Sequence, residues 1–306
     1  MIEQVETRRL QFLLELSRLG SMRAVADHLG VTTSTVSQQL AALGRETGAD
    51  LIEADGRNVR LTAAGRRLAG HAVTILGAVT AARADLDPGA EPAGTVRVAG
   101  FATAIRHALM PVIRDLAASH PDVHLVVREH EPAEARTLLA ADEIDLALTY
   151  DYDLAPATAD DAIVSVPLWS APWALGVPAA DGAGLTGRAA DVVGVFRDRR
   201  WIGNSRNVAD ERVIRLFAAI AGFEPEFAHE ADSLDLVEDL ILAGLGIGLL
   251  PADRPARPGI TMLSLRDPGL NLRAFADTAR GRSAWPPLAL VLHQIRALGP
   301  QVPARA

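Results

Sequence analysis

The chain has 306 residues, 49% of them apolar, which is enough for two or three domains with cores of their own. Its formal net charge is −8, and it contains neither cysteine nor lysine. Disulfides, thiolate chemistry and cysteine-based zinc sites are therefore excluded, and bulk electrostatic attraction to a polyanion is disfavoured. No stretch approaches the ~20 consecutive apolar residues that span a bilayer. Residues 1–12 are acidic early and lack an apolar segment, so a secretory signal is not expected and a cytoplasmic location is.

Residues 5–19 predict a first helix, with Leu10, Phe12, Leu13, Leu14 and Leu16 forming its apolar face and Gly20 ending it. Ser21 is placed to cap a short second helix running to about Leu29, with Ala24, Val25 and Leu29 inward. Gly30-Val31 supplies a tight break, and Thr32 or Thr33 caps a third helix. In that helix Val36, Leu40 and Leu43 share the buried face. Thr33, Ser34, Thr35, Ser37, Gln38 and Gln39 form the outward face, rich in hydrogen-bonding groups and almost uncharged. Gln bonds adenine in two places through the major groove, and Ser and Thr serve bases or phosphates. Two helices joined by a glycine turn, the second with such a face, make a helix-turn-helix; Thr32 to Gln39 are its candidate DNA contacts. Residues 50–53 and 58–61 alternate around a turn at 54–57, predicting a small wing, with Arg57 and Arg60 placed to reach phosphates or the minor groove. Residues 1–67 carry a net charge of +1, leaving −9 for the rest, so any DNA binding here relies on local placement of groups and has a modest salt dependence.

From Thr62 to about Leu86 no proline intervenes, and Leu68, Ala72, Ile75, Leu76, Val79, Ala82 and Leu86 recur at three- and four-residue steps. A long helix outside a compact domain must bury that stripe, either against its own copy in a second chain or by folding back onto its own domain. Residues 88–94 hold two Pro and two Gly with their neighbour Asp87 and form a hinge. Beyond it, strands at 95–100, 123–128 and 144–149 alternate with helices at 103–118 and 132–141, which is βαβαβ and hence a parallel sheet. Strands are further expected at 163–168, 173–177, 192–195, 201–202, 226–229, 246–250, 260–265 and 272–276, and helices at 209–221, 233–243 and 287–298. The layout is two α/β lobes: lobe I from 95–166 and 269–306, lobe II from 167–268.

The run AVADHLGVTTSTVSQQLAAL followed by GRNVRLTAAG resembles the N-terminal winged helix of the LysR-type transcriptional regulators, closely over about the first 65 residues and more loosely over the remainder. Two departures stand out. Gly44 replaces the family's usual Glu, weakening the helix by ~1 kcal/mol relative to Ala. Leu51-Ile52-Glu53-Ala54 replaces Leu-Phe-x-Arg, removing one phosphate contact. The resemblance implies a winged helix-turn-helix domain over 1–62, a dimerising linker helix over 63–87 and, after the hinge, an effector domain over 95–306 with the fold of periplasmic solute-binding proteins. It also implies double-stranded operator DNA and a small-molecule effector as partners, and a homodimer or dimer of dimers. Paired recognition helices read half-sites about one helical turn apart.

In such sheets ligands sit beyond the carboxyl ends of strands, between the lobes. The candidate effector residues are Ala102 and Thr103 after the first strand, where helix N–H groups favour an anion, Tyr150 and Asp151 after the third, and Asn204 and Ser205 from lobe II. The family resemblance points to Thr103 first; Ser233 is a lesser candidate. The bland reading of each is a cap or turn residue.

Three other patterns carry less. His120, His124 and His130 with Glu129 suggest a metal site, but His124 and His130 lie near ~20 Å apart along a strand, too far to share an ion. The glycines at 244, 246 and 248 follow a helix and lead into a strand, the reverse of a dinucleotide loop, and read as close backbone packing. No nucleophile elbow, Walker loop or paired histidine motif is present, so neither an enzyme nor a cofactor is expected. The alternative to a regulator is a small-molecule sensor with weak or lost DNA binding, which Gly44, Ala54 and the near-neutral head keep open.

Overall fold

The structure is a computed structural model that describes residues 5–55, 58–86 and 91–298. The N-terminal unit holds α1 (Thr7–Leu19), α2 (Met22–Leu29), α3 (Thr33–Thr47), β1 (Ile52–Asp55) and β2 (Asn58–Leu61). α1 ends at Gly20, whose φ of 70° puts it in the left-handed region that glycine tolerates. The Ser21 hydroxyl accepts from the Ala24 N–H, and the Thr32 hydroxyl from the Thr35 N–H, so two orphan donors are satisfied at the two helix starts. Leu10, Leu13, Val25, Val36, Leu40 and Leu43 close one core at 1% exposure or less. Burying each such side chain stabilises by about 1.5–3 kcal/mol. β1 and β2 pair antiparallel from Ile52↔Leu61 to Asp55↔Asn58, forming the expected wing.

α4 (Ala63–Leu86) starts on the Thr62 hydroxyl, which accepts from the Gly65 N–H at 3.0 Å. Its apolar face splits. Ala69, Ala72 and Val73 are buried in the N-terminal core, with Leu68 and Leu76 packed against it. Ile75 and Leu86 remain 40% and 86% exposed. The first half of the helix therefore folds back on α1, one of the two expectations, and its outer edge is left uncovered within the single chain.

The second unit begins with β3 (Gly94–Gly100), followed by a rod of α5 (Ala102–Ala104), a π-helical Ile105–Leu109 and α6 (Met110–Ser119). β4 (Val123–Glu129), α7 (Pro132–Ala140), β5 (Leu146–Tyr152) and the 16-residue β6 (Ile163–Pro178) come next. Then follow α8 (Ala179–Gly182), α9 (Ala189–Val195), β7 (Arg200–Gly203), α10 (Ala209–Ala221), β8 (Glu226–Glu230), α11 (Leu234–Leu242), β9 (Gly248–Pro251), β10 (Ile260–Ser264), β11 (Asn271–Ala279) and α12 (Pro286–Ala297). β3 lies parallel between β4 and β5, as βαβαβ requires, and β11 and β6 add antiparallel strands beside β5.

Two expected strands, 163–168 and 173–177, are one. β6 pairs with β11 from Ile163 as far as Pro172, then with β9 and β10 from Trp173 onward. A proline supplies no ladder donor, and Pro172 sits where the strand changes partner. Its carbonyl instead accepts from the Ala252 N–H at 2.8 Å. We call the part built on β3, β4, β5, β11 and 163–172 lobe I, and the part built on β7–β10 and 173–178 lobe II. The change of partner falls at Pro172/Trp173 rather than near 166. Residues 192–195, expected as a strand, lie in α9, where Ala189, Val192 and Val193 turn inward at helical spacing. The glycines at 246 and 248 do pack closely: a Cβ on Gly246 would stand 3.0 Å from Ile202 Cγ1 and 3.1 Å from the Arg200 carbonyl.

Candidate functional site

The outward face of α3 is arranged as expected. Thr33, Ser34, Ser37 and Gln38 are exposed, and Thr35 and Gln39 half-buried. Their availability differs. The Thr32 hydroxyl lies 2.7 Å from that of Ser34 and 2.9 Å from that of Thr35, so Thr32 engages both. Gln39 Oε1 accepts from Arg9 Nε of α1 at 3.2 Å, and Arg9 also pairs with Glu46. Ser37 and Gln38 have no side-chain partner among the described residues and stand free at the centre of the face. Arg60 pairs with Glu53 across the wing at 2.9 Å, both well exposed, a contact that water screens and a phosphate can exchange. Arg57 lies outside the described residues.

Gly44 has a local reason. The last turn of α3 folds back so that the Ala49 N–H donates to the Gly44 carbonyl, and a Cβ on residue 44 would stand 3.2 Å from the Ala49 carbonyl oxygen. The glycine thus fits a tight turn that a larger residue would have to open.

The six effector candidates divide. Successive residues of a strand face opposite sides, and β5 follows this rule. Tyr150 and Tyr152 turn into the main effector-domain core, whereas Asp151 binds Arg273 through two bonds of 2.8 and 2.9 Å and accepts from the Ala157 N–H. Asp151 is therefore a structural ion pair on the other side of the sheet from Tyr150. Ala102 and Thr103 open the α5–α6 rod half-buried, and Thr103 has no side-chain bond to a described residue. Asn204 caps α10, its Oδ1 accepting from the Asp210 N–H at 2.9 Å. Ser205 is tied to Asp232 through both its N–H and its hydroxyl.

The seam between the lobes is closed by Tyr150 together with residues that the sequence did not single out. Tyr150 donates its hydroxyl to Glu131 at 3.2 Å, and Asn207 Nδ2 reaches both Glu131 (2.6 Å) and the Tyr150 oxygen (3.0 Å). Tyr152 donates to Asp210 at 2.7 Å. Arg206 of lobe II pairs with Asp232 at 3.1 Å and reaches toward Glu129, Glu131 and Glu134 of lobe I at 3.4–3.9 Å. Four carboxyls thus face one guanidinium. Burial, joined by the negative charge of Asp232, pushes Glu131 up from 4.5 to about 7, against the hydrogen bonds of Tyr150 and Asn207 and the charge of Arg206. Burial likewise pushes Asp210 up to about 6 and holds both tyrosine hydroxyls well above their usual range. The resulting seam is polar, with Glu131, Tyr150, Tyr152 and Asp210 buried and Arg206 and Glu134 open to solvent.

Among the described residues no group of three or more metal-binding side chains gathers, and His130 instead lies 3.3 Å from Glu134. No helix among the described residues is long and apolar enough to cross a membrane.

Comparison with known proteins agrees with this architecture. Residues 7–66 match the bacterial regulatory helix-turn-helix protein model of the lysR family, and residues 89–299 match the LysR substrate binding domain. The chain is 27% identical over 249 residues to the transcriptional dual regulator GltC of Bacillus subtilis, covering 81% of each protein. It is 28% identical over 280 residues to a probable hydrogen peroxide-inducible genes activator of Streptomyces viridosporus, covering 87% of this chain and 85% of that one. Among solved structures, full-length OxyR of Pseudomonas aeruginosa with a cysteine-to-aspartate substitution superposes with a TM-score of 0.72 at 18% identity, covering 99% of this chain and all of the other. ArgP of Mycobacterium tuberculosis superposes at 0.69 with 20% identity, covering 96% and 97%. With both family models matched in order, and the second alone spanning more than half of its length, the chain belongs to the LysR family of transcriptional regulators.

Proposed function

We propose that this LysR-type regulator reads operator DNA through Ser37 and Gln38 at the centre of the α3 face. Thr32, Thr33, Ser34, Thr35 and Gln39 flank them, and Arg57 and Arg60 of the wing hold the phosphates. The observation that carries the reading is the free, uncharged, hydrogen-bonding centre of α3 on a helix whose opposite side is locked into the core. Two copies joined along the uncovered edge of α4 at Ile75 and Leu86 present two such helices to successive turns of the major groove, and a dimer of dimers extends the footprint. A small molecule at the interlobe seam, beside Thr103, Tyr150, Asn204 and Ser205, parts the Arg206 and Asn207 contacts and so shifts the relative population of lobe arrangements. With no cysteine in the chain, that signal does not travel through thiol oxidation, whatever the peroxide-inducible relatives sense. We assign no catalytic step to these residues and place the protein in the cytoplasm with its DNA.

The test is binding of the full-length protein to its selected operator and to a scrambled duplex. Gln38→Ala is expected to weaken the operator complex by roughly 10- to 100-fold, the worth of a bidentate base contact, and to leave the scrambled duplex unchanged. Equal loss on both duplexes would remove Gln38 from base reading. A wild-type protein that retains neither duplex at low salt would favour the sensor without DNA, the reading supported by Ala54 and by the capture of Arg60 and Gln39 within the head.

A further inference from the structure

The DNA-binding head and lobe I of the same chain meet through a half-buried charge network. Arg18, in the last turn of α1, donates its Nε to Asp142 Oδ2 at 2.7 Å, while its Nη1 holds Glu15 at 3.0 Å. Arg18 and Asp142 side chains are only 19% and 14% exposed, so water screens the pair weakly. Asp142 sits in the turn between α7 and β5 with φ of 56°, a conformation that Asp and Asn tolerate better than other side-chain-bearing residues. Its carbonyl accepts from Arg97 Nη1 at 2.9 Å, and Arg97 grips Asp145 through its backbone N–H, Nε and Nη2. Arg282 closes the network on Asp145 at 2.8 Å and stacks on Trp285.

A second contact runs alongside. The Thr74 hydroxyl of α4 donates to the Arg280 carbonyl at 2.8 Å. Gly281, with φ of 81°, must be glycine there, since a Cβ would fall 2.3 Å from Thr74 Cγ2.

The placement of these groups matters more than their number. α1 is a rod with two polar handles: Arg18 grips lobe I, and Arg9, nine residues away or roughly 13 Å along the axis, grips Gln39 of α3. β5 is a second rod. Asp145 immediately precedes it, and Tyr150 and Tyr152 end it in the interlobe seam, roughly 20 Å away. The two rods join at the Arg18–Asp142 pair.

We propose that Arg18 and Asp142 form an intrasubunit latch that docks the DNA-binding head on its own effector domain and carries the state of the interlobe seam along β5 and α1 to the recognition helix. The latch fixes the angle at which each head is presented, and thereby the half-site spacing that a dimer spans. The coupling role rests on the operator-binding reading above; the docking itself does not.

The experiment is backbone amide exchange on the full-length protein with Arg18→Gln, Asp142→Asn and the double variant, followed by footprinting of each on the selected operator. Asp142→Asn keeps the left-handed turn and leaves Arg18 with Glu15, so it guards against misfolding of α1. The latch predicts reciprocal effects: Arg18→Gln speeds exchange at 140–146, and Asp142→Asn speeds it at 16–20, each on the order of tenfold, with the double variant adding nothing. Footprint length on the two-half-site operator changes in all three, while affinity for an isolated half-site does not. Unchanged exchange across the interface overturns the latch. Changed exchange with unchanged footprints overturns the coupling. Changed exchange in a protein whose wild type protects no DNA retains the docking and removes the operator reading.

Discussion

Replacing Glu131 by Gln should change how the protein's stability depends on pH. The folded-state value of Glu131 is about 7 against 4.5 for the free side chain. Between these values the native protein holds a proton that the unfolded chain has released. Stability therefore falls as pH rises through that window, the reverse of a carboxylate whose value is lowered by a salt bridge. The full displacement corresponds to about 3 kcal/mol, an order-of-magnitude figure from ~1.4 kcal/mol per pH unit. Gln keeps an acceptor for the Tyr150 hydroxyl or Asn207 and removes the titration. Urea unfolding of both proteins at fixed concentration from pH 4 to 8 tests this. The wild type is expected to lose about 3 kcal/mol relative to Glu131→Gln across the window, leaving the variant the more stable at pH 8. The Asp210 contribution is present in both and cancels in the difference. Parallel pH curves would refute the reasoning, because they would mean that Glu131 is already ionised in the seam or that its proton is not linked to folding.

Leu40→Ala, at 1% exposure in the head core, should cost about 2–5 kcal/mol and abolish operator retention at a temperature where the effector domain still melts normally, which separate calorimetric transitions would show. Ile75→Asp should shift the chain toward monomer by at least about tenfold in sedimentation while leaving the fold intact, since Ile75 is 40% exposed; an unchanged mass distribution would remove α4 from the dimer. Gly44→Ala should gain less than the ~1 kcal/mol of helix propensity, because its Cβ would press within 3.2 Å of the Ala49 carbonyl. A rise in operator affinity in that variant would show instead that the glycine detunes the DNA grip.

The winged head was legible because its signals are local. Ser21 and Thr32 as caps, Gly20 and Gly30 as stops, and the 36/40/43 stripe each need only a few neighbouring residues to be read. Where the sequence misled, the deciding contacts were distant. Residues 192–195 are β-branched enough to suggest a strand, and the seven-residue α9 is too short for its helical spacing to stand out. Pro172 looked like a break between strands, yet a partner change at that position leaves β6 continuous. The stripe on α4 was visible, but its division between α1 and open surface was not. At the seam, the alternation of β5 in the sequence itself separates Tyr150 and Tyr152 from Asp151. Glu131, Arg206, Asn207 and Asp210 left no comparable trace. Their roles arise from pairing across lobes that are dozens of residues apart in the chain, and only Arg206 and Asn207, adjoining the expected Asn204 and Ser205, lay within reach of sequence reasoning.

The central claim is that two heads of this chain read two half-sites of one operator. The most direct measurement is selection of bound sequences from a random duplex library by the full-length protein, followed by footprinting of the enriched DNA. The account predicts an inverted repeat whose halves are separated by whole helical turns, with protection in two matching patches. Enrichment of a single unrepeated site, or no enrichment at low salt with a folded protein, would contradict it.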